Sequence, residues 1–354
     1  MKIAVIPSDL GACGYFRLIW PAEAVRSVRP DWQVDVYRPQ DVRIGMGPKG
    51  LAVHGLNLEG LDLAIFQRIG TPNQVELVRS LQRAGIAVAI DVDDALYCID
   101  PDSASYPAWN DRRAATHWAN LDEGCRYADL VTVTTDALAR HYGKHNRVER
   151  IVNGLPEGAY APEPAPRYDP MVTLGWSGVA ASHPHDLEAA GDALARVMAS
   201  DPDVCLRVVG DAAWAAGVFQ VPEERLIDAG SHPLNEYHAA LRGTDIGLVP
   251  LADTRFNEAK SALKALEYSA VGARVVASPT PANIELSLTT GLSIAKTPDA
   301  WVQAIEMEVE RVRHDRERGE AGGPSVRHLG ILPRAEEWAQ AWERAVARRQ
   351  GMNR

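Results

Sequence analysis

The chain has 354 residues, 46% of them hydrophobic and 24% charged, with a formal net charge of −10. That length predicts two domains rather than one small core, and the composition is that of an ordinary globular protein. The acidic total lacks the basic footprint usual in nucleic-acid binders, and no apolar run approaches the ~18 residues of a membrane span.

Four cysteines, Cys13, Cys98, Cys125 and Cys205, are scattered without CxxC spacing. We read them as reduced thiols, which points to the cytoplasm. The opening "MKIAVIPSD" turns polar too early for a signal peptide. The first half alternates strand-like runs with helical patterns. Lys2–Pro7, Gln33–Pro39, Asp62–Ile69, Ile86–Val92 and Asp129–Thr135 read as strands, and "PAEAVRSV", "NQVELVRSLQRAG" and "AATHWANLDEGCRYA" lie between them with helical spacing. Such alternation predicts a parallel sheet covered on both faces.

Two loops of this half are candidate sites. In "PSDLGACGYFRLIWP", Gly11 and Gly14 make a tight turn into a helix, and Arg17 falls in its first turn, where an anion or carboxylate partner is expected; a simple strand-to-helix turn is the alternative. Gly11-x-x-Gly14 is not the dinucleotide fingerprint, and no acid stands at the tip of the second strand, so NAD is disfavoured. In "AIDVDDALYCIDP", Asp91, Asp93 and Asp94 cluster at a strand's carboxyl end. Neighbouring carboxylates raise one another's pKa, and one of them can act as a general base; helix capping and metal binding are the alternatives. Tyr97, Tyr106 and Trp109 follow, able to stack on a sugar or to fill the core.

The stretch Leu155–Pro170, "LPEGAYAPEPAPRYDP", reads as an interdomain linker because of its prolines. Alternation then resumes. Met171–Gly178, Val204–Asp211, "RLIDAG", Asp245–Leu251 and Ala273–Ser278 read as strands, with helices over Asp186–Ala199 and Asn257–Val271. The fold class is thus α/β, two Rossmann-like doubly wound parallel-sheet domains facing a cleft. The expected bounds are 1–160, 161–330, and a tail 331–354 carrying an amphipathic helix over Pro333–Arg349 that can pack across the halves. Ligands of open α/β sheets sit outside the carboxyl ends of strands, so those loops form the search space.

After the strand near Leu174 comes "GWSGVAASHPHD". Gly178 allows backbone close to a ligand. His183 beside the cleft is a candidate catalytic or ligand contact, against a solvated histidine with Ser182 or Asp186 capping the helix; "HPHD" is a weak metal signal without a third ligand. In "RFNEAKSALKALEYSAVGARVVAS", Asn257 reads as a helix start and Gly272 as a stop. Lys260 and Lys264 then fall in the first two turns, where a helix prefers anions, and share a stripe with Glu267. Helix N–H groups and two ammoniums converging on one volume suit a phosphate or diphosphate. Glu267, two turns in, suits ribose hydroxyls. The alternative is a solvated face of Lys–Glu pairs.

This stretch, with "VNGLPEGAY" before the linker and "GWSGVAASHPHDL" after it, resembles the nucleotide-binding half of GT-B glycosyltransferases, family 4-like. The resemblance implies acceptor binding in the first domain, a sugar nucleotide in the second, and glycosyl transfer, favouring retention, without an obligatory metal. Glu267 matches the second glutamate of the family's E-x7-E motif, which binds ribose. The first glutamate's place is taken by Ala259, and Glu258 beside it is on the wrong helical face. Lys260 and Ser261 are expected on the donor phosphates. No arginine or lysine stands between Trp176 and Asp186, so the helix lysines would replace the family's basic pair.

The expectation is a hexosyltransferase-like enzyme moving a sugar from a nucleoside diphosphate sugar to an acceptor hydroxyl. Asn257, Lys260, Ser261, Lys264, Glu267 and Gly178 hold the donor. Gly11, Gly14 and Arg17 form an acceptor or phosphate loop. Asp93 or Asp94 serves as base should the reaction invert. No cofactor and no metal are required. The acceptor is open among a glycan, a lipid-linked sugar, a protein side chain, a metabolite and, less favoured, DNA. A sugar-nucleotide 2-epimerase on the same fold, or a non-catalytic sugar-nucleotide binder, are the rivals.

Overall fold

A computed structural model describes residues 1–47, 50–110, 117–143, 147–161, 170–182, 184–319, 323 and 325–352. Half of the proline-rich linker, residues 162–169, and His183 lie outside these residues.

Two six-stranded sheets carry the fold. The first runs, in spatial order, Gln33–Val36, Lys2–Ile6, Leu63–Gln67, Ala87–Val92, Leu130–Val133 and Val148–Arg150. The second runs Leu226–Asp228, Val204–Gly210, Val172–Gly178, Ile246–Val249, Arg274–Ala277 and Ser293–Ile294. Every strand pair in both sheets is parallel. The edge strands Val148–Arg150 and Ser293–Ile294 are too short to show a period in sequence. A hairpin, Arg43–Gly47 with Gly50–His54, stands apart from both sheets.

Strand parity explains the cores. In the first sheet Ala4, Ile6, Val88 and Ile90 face one way, and Ile3, Val5, Leu63, Ile65, Ala87 and Ala89 the other. The second face is covered by the tail helix Ala335–Met352, whose Trp338 and Trp342 are fully buried against it. Arg349 pairs with the buried Asp129 at 2.6 Å, and Arg344 with Glu149 at 2.6 Å. The chain therefore returns to its first half, and the apolar stripe of the tail serves that half's core instead of bridging the two.

The halves stand against one another. Phe16, Leu155, Ala159, Tyr160, Leu266 and Ala270 form an apolar seam. Arg150 forks Glu285 at 2.6 and 2.8 Å, and Thr135 Oγ1 donates to the Ala259 carbonyl at 2.9 Å.

Two expected helices are broken. The run Asp186–Ala199 is a 3-10 turn, Leu187–Ala190, then a helix Ala193–Ser200, parted at Gly191, whose φ of 56° is left-handed. The run Asn257–Val271 is two helices, Arg255–Glu258 and Leu263–Ala270. Thr254, not Asn257, caps the first, accepting from the Asn257 amide at 3.1 Å. The Asn257 side chain instead donates to Asp186 Oδ1 at 2.6 Å and the Ala252 carbonyl at 3.0 Å, folding the loop onto its neighbour.

Candidate functional site

In the second sheet, Val172–Gly178 comes first in the chain and lies between two later strands, Val204–Gly210 on one side and Ile246–Val249 on the other, so the strand order runs outward from it in both directions. This is the topological switch point, where an open α/β sheet leaves a crevice beyond its carboxyl ends. Close approach is built in. Gly178 pairs with Gly210, whose φ is 126°, and a Cβ on Gly210 would meet the Gly178 carbonyl at 2.0 Å.

Four polar side chains meet here. Lys264, in the first turn of Leu263–Ala270, donates through Nζ to the Tyr237 hydroxyl at 2.6 Å and Ser177 Oγ at 3.3 Å. Its ammonium lies 3.6 Å from Glu267 Oε2 and 4.7 Å from the Tyr237 ring centroid. Ser177 and Tyr237 share a hydrogen bond of 2.8 Å, and Tyr237 donates to Glu267 Oε2 at 3.5 Å. Glu267 is buried, and its Oε1 lies 3.3 Å from His238 Nε2. Burial, reinforced by the Glu267 charge, pushes the Tyr237 hydroxyl well above its ordinary pKa, so it stays protonated and bridges. Ser177, Tyr237 and His238 have no motif signal. Tyr237 and His238 belong to a helix, Leu234–Leu241, that sequence gives no reason to place at the site.

The helix break changes the setting of Lys260 and Ser261. They lie between the two helices, so Lys260 shares no helical stripe with Lys264, whereas Lys264 and Glu267 do. Ser261 Oγ accepts from Asn153 Nδ2 at 3.0 Å. Lys260 reaches across the cleft, its Nζ 3.9 Å from Asp94 Oδ1. Ala259 is buried against the first half's core. An acid there would be forced into apolar contacts, so the family's first glutamate has no room. Glu258 points outward, 3.6 Å from Arg140.

The first half supplies the opposite wall. Asp9 Oδ1 accepts from the amides of Gly11 at 2.8 Å and Gly14 at 3.2 Å, and a Cβ on Gly14 would stand 2.0 Å from the Asp9 carbonyl oxygen. The loop is glycine-dependent by packing. Arg17 does not face the cleft. It is 1% exposed and forks Asp91 at 2.8 and 3.1 Å, with Ile151 O at 2.8 Å and Asn153 Oδ1 at 3.0 Å. Asp91 also accepts from Thr132 Oγ1 at 2.6 Å. The carboxylate partner expected for Arg17 is thus an internal one, and Asp91 is withdrawn from the acidic cluster into the core.

Asp93 and Asp94 stay at the strand end, held by Arg68. Its guanidinium forks Asp93 at 2.5 and 2.7 Å and reaches Asp94 Oδ2 at 2.9 Å and Cys13 Sγ at 3.3 Å. Burial raises the Asp93 pKa, opposed by Arg68. Neither acid caps a helix. Arg68 has a left-handed φ of 51°, and sparsely populated backbone in a non-glycine residue concentrates at functional sites. Tyr97 stacks on His141 with centroids 3.7 Å apart, so that ring is already partnered.

At the cleft mouth His185 Nε2 lies 3.1 Å from Asp102 Oδ2, a contact between halves. Asp100, Asp102 and His185 bring one ligand atom each within 4.8 Å of one another, the arrangement among the described residues that a cation could use. Beside it a cavity of about 360 Å³ is lined by Asp253, Thr254, Ser278, Thr280 and Lys296. No helix among the described residues is long and apolar enough to cross a membrane.

No family model matches the chain, and no curated protein matches it in sequence. Solved structures do match. A protein described as a UDP-N-acetylglucosamine 2-epimerase from Listeria monocytogenes superposes with a TM-score of 0.56 at 12% identity, over 97% of this chain and 95% of that one. Anabaena HepE in complex with UDP gives 0.53 at 14%, over 100% and 98%. A UDP-forming α,α-trehalose-phosphate synthase from Burkholderia xenovorans gives 0.56 at 12%, over 97% and 99%. The chain has the GT-B fold, two Rossmann-like halves about a cleft.

Proposed function

We propose that the protein is a glycosyltransferase, kin to family 4, that moves a sugar from a nucleoside diphosphate sugar to an acceptor hydroxyl, with retention. The observation that carries the reading is the convergence of Ser177, Tyr237, Lys264 and Glu267 at the switch point of the second sheet. A cation beside a buried carboxylate, at a helix N-terminus and a glycine-lined strand end, suits a diphosphate followed by a ribose. Lys264 would give up Tyr237 for the phosphates and stabilise charge developing on the leaving diphosphate. Glu267 would accept from ribose hydroxyls. Residues 161–330 would hold the donor with no cofactor or metal, and residues 1–160 the acceptor, with Asp94 nearest the reacting groups. UDP is the first candidate nucleotide because one structural neighbour was solved with it and another is described as UDP-forming.

The experiment is to incubate the protein with UDP-sugars, alone and with an acceptor panel, and to follow released UDP and the sugar's configuration. UDP released only with an acceptor supports transfer. Conversion of donor alone supports the 2-epimerase reading, which the Listeria neighbour motivates. Donor binding without turnover across the panel would leave a sugar-nucleotide-binding protein, a reading that the buried Ala259 motivates.

A further inference from the structure

Lys260 and Asp94 come from opposite halves and meet across the cleft at 3.9 Å, each about a fifth to a quarter exposed (21% and 25%). The Lys260 ammonium also rests 4.7 Å over the Phe256 ring, which fixes it in the break between the two helices. On the other side, Arg68 holds Asp93 with two hydrogen bonds and Asp94 with one. The four groups are two acids and two bases, and they balance. An ammonium in a closed cleft needs such a counter-charge, because a partly desolvated cation without one is costly. Lys260 stands in the break that leads into the helix of Lys264, and a diphosphate on Lys264 that reaches Lys260 as well brings more negative charge than one carboxylate and cannot share Lys260 with Asp94 without like-charge repulsion.

We propose that Asp94 is the resident counter-ion of Lys260 in the empty cleft, that a donor diphosphate and Asp94 compete for this ammonium, and that Arg68 is the positioning residue that keeps Asp94 at the cleft once Lys260 is taken. The inference rests on the donor-site reading above. It gives the exchange a direction. Diphosphate binding removes one of the cations that neutralise Asp94, which makes that carboxylate a stronger acceptor for an incoming hydroxyl. The acceptor site is therefore completed by the donor.

The test is calorimetric titration of the full chain with UDP. Removing a partly buried competitor whose ion pair is long, at 3.9 Å, shifts an equilibrium modestly, so Asp94→Asn should bind UDP about threefold tighter than wild type. Lys260→Ala should bind it more weakly, and adding Asp94→Asn to Lys260→Ala should bring no further gain. Arg68→Gln leaves Asp94 leaning on Lys260 and should weaken UDP about threefold, with affinity restored by Asp94→Asn in the same chain, a rescue that a merely structural arginine would not show. Glu258→Gln, which removes an outward-facing acid two residues from Lys260, should leave UDP affinity within error. A gain from Asp94→Asn that persists without Lys260, or equals that of Glu258→Gln, would overturn the proposal in favour of a general field effect. If UDP binds no variant, the donor-site reading fails separately. In that case thermal unfolding of the ligand-free Lys260→Ala and Asp94→Asn variants and their double decides: additive losses overturn the pairing, and a smaller loss in the double supports it.

Discussion

Asp91→Asn should be among the most damaging single changes in the molecule, although it alters no atom of the cleft. Asp91 is fully buried, Arg17 is 1% exposed, and they share two hydrogen bonds of 2.8 and 3.1 Å. Replacing the carboxylate by an amide leaves the guanidinium as an uncompensated buried charge and puts an NH2 where Arg17 or Thr132 donates. Removing one member of a buried pair costs about 3–5 kcal/mol. Arg17 keeps its bonds to Ile151 O and Asn153 Oδ1, so we place the loss near the lower figure, about 3 kcal/mol. For a unit of ~150–250 residues, 1 kcal/mol moves Tm by roughly 2–4 °C, which puts the drop near ~10 °C. Circular dichroism melts with chemical denaturation at fixed temperature measure it. The double change Arg17→Met with Asp91→Leu should recover part of the loss, since an apolar pair of similar volume removes the buried charge, while Ile151 O and Asn153 still lose their donor. A loss below ~1 kcal/mol for Asp91→Asn would refute the reasoning, because it would mean that water or an alternative partner reaches Arg17.

Glu267→Gln should weaken UDP about tenfold while leaving inorganic pyrophosphate within about twofold, the expected mark of a charged hydrogen bond lost to ribose alone; equal losses for both ligands in calorimetry would contradict a ribose role. Ala259→Glu restores the family's first glutamate by sequence but forces an acid into the first half's core, so it should lower Tm by several degrees without tightening UDP, as melts and calorimetry would read. His185 has its pKa raised, first by the hydrogen bond it donates to Asp102 and then by Glu188. A raised folded value means that its contribution to closing the cleft mouth is fully present below the unfolded value of about 6.5 and is lost as pH rises through the folded one. An NMR titration of His185 should show its pKa fall in Asp102→Asn, and an unchanged value would remove the contact.

Much of this fold was legible in the sequence because buried parallel strands are written as apolar runs between turn signals. The strands beginning at Lys2, Leu63, Ala87, Val172 and Val204 all lie within the runs read from sequence. Lys264 and Glu267 meet because a helical i,i+3 spacing survives in Leu263–Ala270. Lys260 departs from that stripe because tertiary packing stops the helix at Glu258. Ala259 is drawn into the first half, and its carbonyl accepts from Thr135, 124 residues away. No local propensity reports such a bond. The same limit hid Arg68, separated by 25 residues from Asp93, and Tyr237, separated by 60 from Ser177. For Asp91 the signal was parity: it shares a strand face with Ala87 and Ala89, which the tail helix covers. Without the position of Trp338, which lies 4.9 Å beneath Arg17, that face reads as open cleft.

The most direct test of the account is isothermal titration of the full chain with UDP, repeated on Lys264→Ala. Lys264 must leave Tyr237 and Ser177 to meet a phosphate, so the net gain is below that of a fresh charged hydrogen bond, about 1–2 kcal/mol. The account predicts one UDP site per chain and a loss of about five- to thirtyfold in the variant. No binding of UDP, GDP, ADP or dTDP, or equal UDP affinity in wild type and Lys264→Ala, would contradict a nucleotide-sugar site at the second switch point.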